Sequence, residues 1–170
     1  MKASSEQHNP TEGAPAQPGA SPFFVKFLAT GFYSGYSPVA PGTTGTLAGL
    51  AVYLLPSFEQ LTVIAPAIIL GFLFGIYAGT RLENTFGHDP AVVVIDEMVG
   101  MWISLFLLPK TFLVVLGAFV LFRILDTIKP QPAKLFQKKG GGLSIMMDDV
   151  VVAVYTNIVI RLVVFLFTIL

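Results

Sequence analysis

Apolar residues in this chain come in long unbroken runs rather than in alternation. Residues 61–79, LTVIAPAIILGFLFGIYAG, carry no charged side chain. That is enough helix to cross a bilayer, and Pro66 and Gly71 are tolerated within it. Arg81 and Glu83 mark its exit. Residues 150–170 make a second run of spanning length, interrupted by Asn157 and Arg161. Further runs fill 47–55, 88–109 and 111–122, the first and last of them too short or too charged at their ends to cross alone. Period-two alternation is weak throughout, so the predicted fold class is all-α. The expectation is a compact multi-helix membrane-associated bundle with Gly/Pro-rich loops at its active site and about three or four spans.

Polar residues punctuate these runs. Residues 1–21 are rich in Pro, Gly, Ser and Gln with almost nothing to bury, so they are expected to be a disordered tail, and they lack the apolar core of a signal peptide. The helical domain is then 22–170, and residues 22–31 suit a short amphipathic helix lying on a surface. In 35–50, Pro38, Pro41 and Gly42 keep the backbone out of a helix, and one of Thr43, Thr44 and Thr46 caps the helix that follows. Amides at such a helix start suit an anion, although a capped loop is the commoner meaning of the pattern. Asp89-Pro90 has the form of a cap followed by a first-turn proline. It predicts a helix over 88–109 on which Asp96, seven residues on, shares a side with Asp89. Trp102 suits an interfacial position. After 111–122, Arg123, Asp126 and Lys129 fall near one helical face that ends at Pro130. Pro132 keeps the next residues extended, and Asp148-Asp149, after the triplet Gly140 to Gly142, sit near the start of the last helix.

Composition sharpens this picture. The chain of 170 residues is 54% hydrophobic and 12% charged, with a mean hydropathy of +0.76. One apolar domain, membrane-bound or unusually rich in helix, follows. Net charge is zero, which argues against a nucleic-acid partner. There is no cysteine, so thiol catalysis, disulfides and cysteine-held zinc are excluded. No GxSxG elbow is present either, and a covalent mechanism has no support.

The chemistry lies in the acids. From Asp89 onward every carboxylate belongs to one of three short clusters, Asp89 with Asp96 and Glu97, Asp126, and Asp148 with Asp149. Carboxylates among apolar helices must be neutralised by protons, by protein cations or by a metal. Arg123 and Lys129 are too few for six acids, and the surplus suits a hard divalent cation with oxygen ligands such as Mg²⁺. Taken singly, Asp89 is most simply a cap, Arg123 and Asp126 an intrahelical pair, and Asp148-Asp149 a dipole complement. An adjacent pair such as Asp96-Glu97 inside an apolar helix has little structural use.

Three stretches together resemble the phosphatidylglycerophosphatase A family of bacterial membrane phosphatases. They are GYSPVAPGTTGT at 35–46, DPAVVVIDEMVGM at 89–101, and RILDTIKPQP at 123–132 followed by GGLSIMMDD at 141–149. Ser144 stands where the family motif has Gly. The resemblance implies hydrolysis of the terminal phosphate of phosphatidylglycerophosphate, a phospholipid substrate, with Mg²⁺ as cofactor. It maps the family's acidic residues onto Asp89, Asp96, Glu97, Asp126, Asp148 and Asp149. The matching expectation is that Asp96, Asp126 and Asp149 bind the metal, with Asp89 or Asp148 as a further ligand. Glu97 orients or deprotonates water, Asp126 is needed for turnover, and Arg123 and Lys129 hold the phosphoryl oxygens. Thr43, Thr44 and Thr46 add donors to the substrate. Lys134, Lys138 and Lys139 place this side at the cytoplasmic face of a multi-pass protein of the bacterial inner membrane. Two rivals stay open: a phosphatase for phosphatidic acid or a polyprenyl diphosphate, and an ion transporter whose carboxylates carry cations.

Overall fold

The computed structural model describes residues 22–87, 90–137 and 140–169. The expected tail, Asp89, Lys138 and Lys139 lie outside them. The described residues are helical, with no strand among them, as the absence of alternation requires. In chain order the helices are α1 (Phe23–Ala29), a 3₁₀ turn (Ser34–Tyr36), α2 (Pro41–Tyr53), α3 (Leu61–Phe86), α4 (Ile95–Ser104), α5 (Phe112–Ile128), α6 (Ala133–Gln137) and α7 (Gly142–Ile169).

The short helix α4 is the centre of the bundle. It packs against α2, α3, α5 and α7. Ile95, Asp96, Met98, Val99, Gly100, Met101, Trp102 and Ser104 are all buried, nearly the whole of its length. A helix that stops inside an apolar bundle leaves carbonyls without partners. Here α7 supplies them: Asn157 Nδ2 reaches the carbonyls of Ser104 at 3.1 Å and Phe106 at 2.9 Å, and Arg161 Nη2 donates to Phe106 O at 3.0 Å. The two polar interruptions of the last apolar run thus cap its neighbour. Trp102 is buried rather than interfacial, because its indole N–H donates to Gly49 O at 2.8 Å across the α2–α4 contact.

Several boundaries differ from the expectation, each for a local reason. The helix predicted from 88 begins only at Ile95. The β-branched run before it resists the helical conformation, and Val94 N–H is taken by Ala29 O at 2.9 Å. Asp96 therefore sits in the first turn of α4, and the face it was expected to share with Asp89 lies outside the described residues. No threonine caps α2: Ala40 is its N-cap in the left-handed region and Pro41 its first residue. Pro132 is followed by the short helix α6 instead of an extended segment. Asp148 and Asp149 lie in the second turn of α7, not at its dipole end.

Two helices among the described residues are long and apolar enough to cross a membrane: α3, with 26 residues, and α7, with 28. In each the apolar window is only 17% buried, so its side chains face outward. The ten residues of α4 reach about 15 Å, half of a hydrocarbon core, so α4 is too short to cross by itself. Where α7 meets α3 the backbones touch. A Cβ on Gly142 would lie 2.0 Å from Ile76 O, and the Gly141 and Gly142 N–H groups donate to Glu83 Oε2 at 2.7 Å and Thr80 Oγ1 at 3.1 Å.

Gly142→Ala should therefore lower thermal stability in detergent by about 1–3 kcal/mol, the cost of overpacking. Gly117→Ala, whose new methyl meets only Ile160 at 3.4 Å, should match the parent protein or exceed it. Equal melting of the Gly142 variant and the parent would show that the α3–α7 contact is looser than this.

Candidate active site

The helix ends at one side of the bundle enclose a cavity of about 290 Å³. Its walls are Ala40, Pro41 and Gly42 from the start of α2, Ala91 and Val93 before α4, and Asp96, Glu97, Arg123, Asp126, Lys129, Asp148 and Asp149. The acid clusters that are far apart in sequence thus meet in one place, with both expected cations.

Each side chain is positioned by its helix. Asp96 and Glu97 occupy the first turn of α4, where the helix dipole favours negative charge. Arg123 and Asp126 are one turn apart on α5 and pair at 2.9 Å. Lys129 caps α5 in the left-handed region, φ 47° and ψ 72°, and its amine faces back toward the acids. Its Nζ lies 3.2 Å from Asp126 Oδ1 and 3.6 Å from Asp149 Oδ1, and it donates to Asp148 Oδ2. Burial alone would lower the Lys129 pKa, but the charges of Asp149, Asp126 and Asp148 outweigh it and hold the amine protonated well above its usual range. The Arg123 guanidinium also donates to Thr46 Oγ1 at 3.3 Å, and Gly42 lies close beside it: a Cβ there would stand 2.6 Å from Glu97 Oε1 and 3.0 Å from Arg123 Nη2.

Five carboxylates face two cations. Asp96, Glu97 and Asp149 offer oxygens that all lie within 4.8 Å of one another. Asp96 Oδ1, Glu97 Oε2 and Asp149 Oδ2 are buried and have no hydrogen-bond partner. Burial, and then the neighbouring charge of Glu97, push the Asp96 carboxyl well above the usual range. Three orphaned, hard oxygen donors converging in one pocket fit a divalent cation such as Mg²⁺, whose charge would relieve that repulsion.

The geometry redistributes the expected set. The convergent trio is Asp96, Glu97 and Asp149, while Asp126 is held between Arg123 and Lys129. Asp148 lines the cavity beside them. Thr43, Thr44 and Thr46 are not in its wall: Thr44 Oγ1 donates to Ser34 O and Pro41 O, and Thr46 Oγ1 to Gly42 O while it accepts from Arg123. The backbone of Ala40 to Gly42 takes that place; Pro41 and Gly42, expected to keep the chain out of a helix, are instead the first two residues of α2. Glu83 and Thr80 brace the glycine loop from α3, and nothing local in the sequence pointed to that. Buried Ser144 donates to Phe136 O, tying α6 to α7, which gives the departure from the glycine motif a structural use.

The family model for phosphatidylglycerophosphatase A matches residues 27–164. The chain belongs to that family. Among curated relatives, the Escherichia coli phosphatidylglycerophosphatase A is 41% identical over 130 residues, covering 75% of this chain and 76% of the relative. The Haemophilus influenzae protein of the same name is 40% identical over 141 residues, 80% and 86% of the two chains. A Bacteroides thetaiotaomicron protein, provisionally named a phosphatidylinositol-3-phosphatase, is 42% identical over 146 residues, 81% and 92%. No solved structure matches the chain. As a member of the phosphatidylglycerophosphatase A family the protein is a phosphatase, an enzyme that hydrolyses a phosphate monoester. Its bacterial relatives and its two long apolar helices both point to membrane association.

If Lys129 is the counter-ion of this cluster, Lys129→Met should destabilise the protein in EDTA by about 2–4 kcal/mol, because it strands buried carboxylates. Denaturation in detergent micelles measures this, and an unchanged midpoint would mean that the acids are neutralised in another way.

Proposed function

We propose that this protein is a Mg²⁺-dependent phosphatidylglycerophosphatase of phospholipid biosynthesis. It removes the terminal phosphate of phosphatidylglycerophosphate and leaves phosphatidylglycerol and inorganic phosphate. The supporting observation is the convergence of Asp96, Glu97 and Asp149 beside Arg123 and Lys129, in a chain of this family. Asp148 and Asp149 of the cavity wall lie near the start of α7, which Glu83 of α3 holds through Gly141, so a lipid headgroup would enter at that level while its acyl chains stay among the apolar faces of those helices. In this reading the protein is a multi-pass protein of the bacterial inner membrane. The site faces the cytoplasm, where Lys134 and its neighbouring lysines favour retention.

Asp96, Glu97 and Asp149 would hold the Mg²⁺ ion, with Asp148 or Asp126 completing the set. When bound, the ion supplies Lewis-acid stabilisation of phosphoryl oxygen and makes water more acidic. Glu97 then orients the attacking water and accepts its proton. Arg123 and Lys129 bind the phosphoryl oxygens as charge shifts onto them, aided by the positive end of α2 at Pro41 and Gly42. Thr46 contributes by steadying Arg123 rather than by touching substrate. Asp126 holds both cations in register, and so belongs to the machinery whether or not it ligates the metal.

The name of the Bacteroides relative favours one alternative, a phosphate on an inositol headgroup. Membership of a phosphatase family removes the footing of the transporter reading.

Phosphate release from micellar phosphatidylglycerophosphate, phosphatidylinositol 3-phosphate and phosphatidic acid, each with Mg²⁺ and with EDTA, tests the assignment. Release is expected from the first substrate, lost in EDTA and restored by Mg²⁺. Turnover that survives EDTA would refute the metal, and preference for the inositol lipid would move the assignment to the alternative. Asp126→Asn should reduce kcat by about 10²–10³-fold or more while the protein stays folded, and normal turnover would remove Asp126 from the mechanism.

A further inference from the structure

We propose that α1 and the turn after it form an aromatic anchor in the headgroup layer of the leaflet onto which the active-site cavity opens, its partner being the lipid surface. This rests on the membrane-spanning reading above.

The observation is a continuous cluster of rings with little covering it. Phe23 is 71% and Phe24 63% exposed, and Phe32, Tyr33 and Tyr36 are exposed as well. Phe27 joins Phe23, Phe32 and Tyr33, with ring centroids 6.1, 5.2 and 5.7 Å away, Tyr36 lies 5.8 Å from Tyr33, and Phe24 follows Phe23 on α1. A contiguous aromatic patch of this kind is unfavourable in water and marks an interaction surface. The backbone holds the patch in place at a cost: Phe32 and Tyr33 have φ of 58° and 68°, conformations that bulky residues rarely adopt. Phe32 N–H to Phe27 O at 2.8 Å and Gly35 N–H to Thr30 O at 3.0 Å fasten that turn.

The fold also indicates what covers the patch. Lys26 Nζ lies 5.9 Å from the centre of the Phe86 ring, and Phe86 is the last residue of α3, a helix of spanning length. The cluster therefore straddles the level of Arg81, where α3 leaves the apolar layer: Lys26 reaches Phe86 beyond it, and Phe32 lies beside Leu70 and Phe74 below it. Phenylalanine, tyrosine and lysine together suit that depth: the rings sit among the upper acyl chains while the hydroxyls and the amine reach headgroups and phosphates. With seven residues, α1 is too short to cross the bilayer.

The anchor is braced to the site on two sides. Ala29 O accepts from Val94 N–H at 2.9 Å, immediately before the helix that carries Asp96 and Glu97. Ser34 O accepts from Thr44 Oγ1 at 2.7 Å, in the first turn of the helix that places Gly42 against Arg123. Seating the aromatic cluster in the leaflet thus sets the depth of the cavity relative to lipid phosphates.

The chain has no cysteine, so one introduced cysteine takes a spin label uniquely. Phe24→Cys, Tyr36→Cys and Leu73→Cys, labelled separately, are reconstituted into phosphatidylethanolamine–phosphatidylglycerol vesicles. Depth is read from relaxation by oxygen against a water-soluble nickel chelate, and phosphate release confirms folding. Labels at 24 and 36 are expected at the headgroup–acyl boundary, within about 5–10 Å of it, and the label at 73 near the bilayer centre. Labels at 24 and 36 in bulk water with 73 deep would overturn the anchor and leave the membrane reading intact. A label at 73 in water would overturn both.

Discussion

Charge confined within an apolar bundle is the constraint on which this structure depends. Five carboxylates and two cations share one cavity, and water cannot solvate them all. Their pairing adds to the apolar packing that brings α4, α5 and α7 together there. Lys129 alone links α5 to α7 through Asp126, Asp148 and Asp149. What the two cations leave uncompensated is concentrated on Asp96, Glu97 and Asp149, which converge and each keep a buried oxygen without a hydrogen-bond partner. The same imbalance that makes the site costly to fold makes it suited to a divalent ion and a phosphate.

The central helix α4 shows how the rest of the fold serves that site. It is short, so that its first turn can carry Asp96 and Glu97 into the cavity while its last carbonyls end within the bundle. Asn157 and Arg161 satisfy those carbonyls from a helix whose second turn supplies Asp148 and Asp149 to the other end. One element, α7, therefore both completes the acid cluster and caps the helix opposite it. Close backbone contact at Gly142 fixes where α7 starts against α3, and so how far the aspartates reach.

Recognition of the family and the chemistry of the cavity address different parts of the function. Membership makes the protein a phosphatase. The cavity adds a set of groups suited to that chemistry: acids, two fixed cations and a helix start. The aromatic residues near the N-terminal end fall outside that chemistry, yet their bracing to Val94 and Thr44 couples them to it.

Helical class, the two apolar helices of spanning length and the acid clusters were all legible in the sequence, because each is a local pattern: run length, lack of alternation, and charge where charge is costly. The end of α5 at Lys129 was legible for the same reason, since Pro130 follows it. The late start of α4, the burial of Trp102 and the use of Asn157 as a cap were not, because each depends on a partner about fifty or more residues away, Ala29, Gly49 or Phe106. The grouping of Asp96 and Glu97 with Asp149, and the capture of Asp126 by two cations, likewise came only with the packing of α4, α5 and α7. Residue types along a chain determine which groups need a partner; which partner each one finds is a matter of distance in space, and only the folded arrangement decides it.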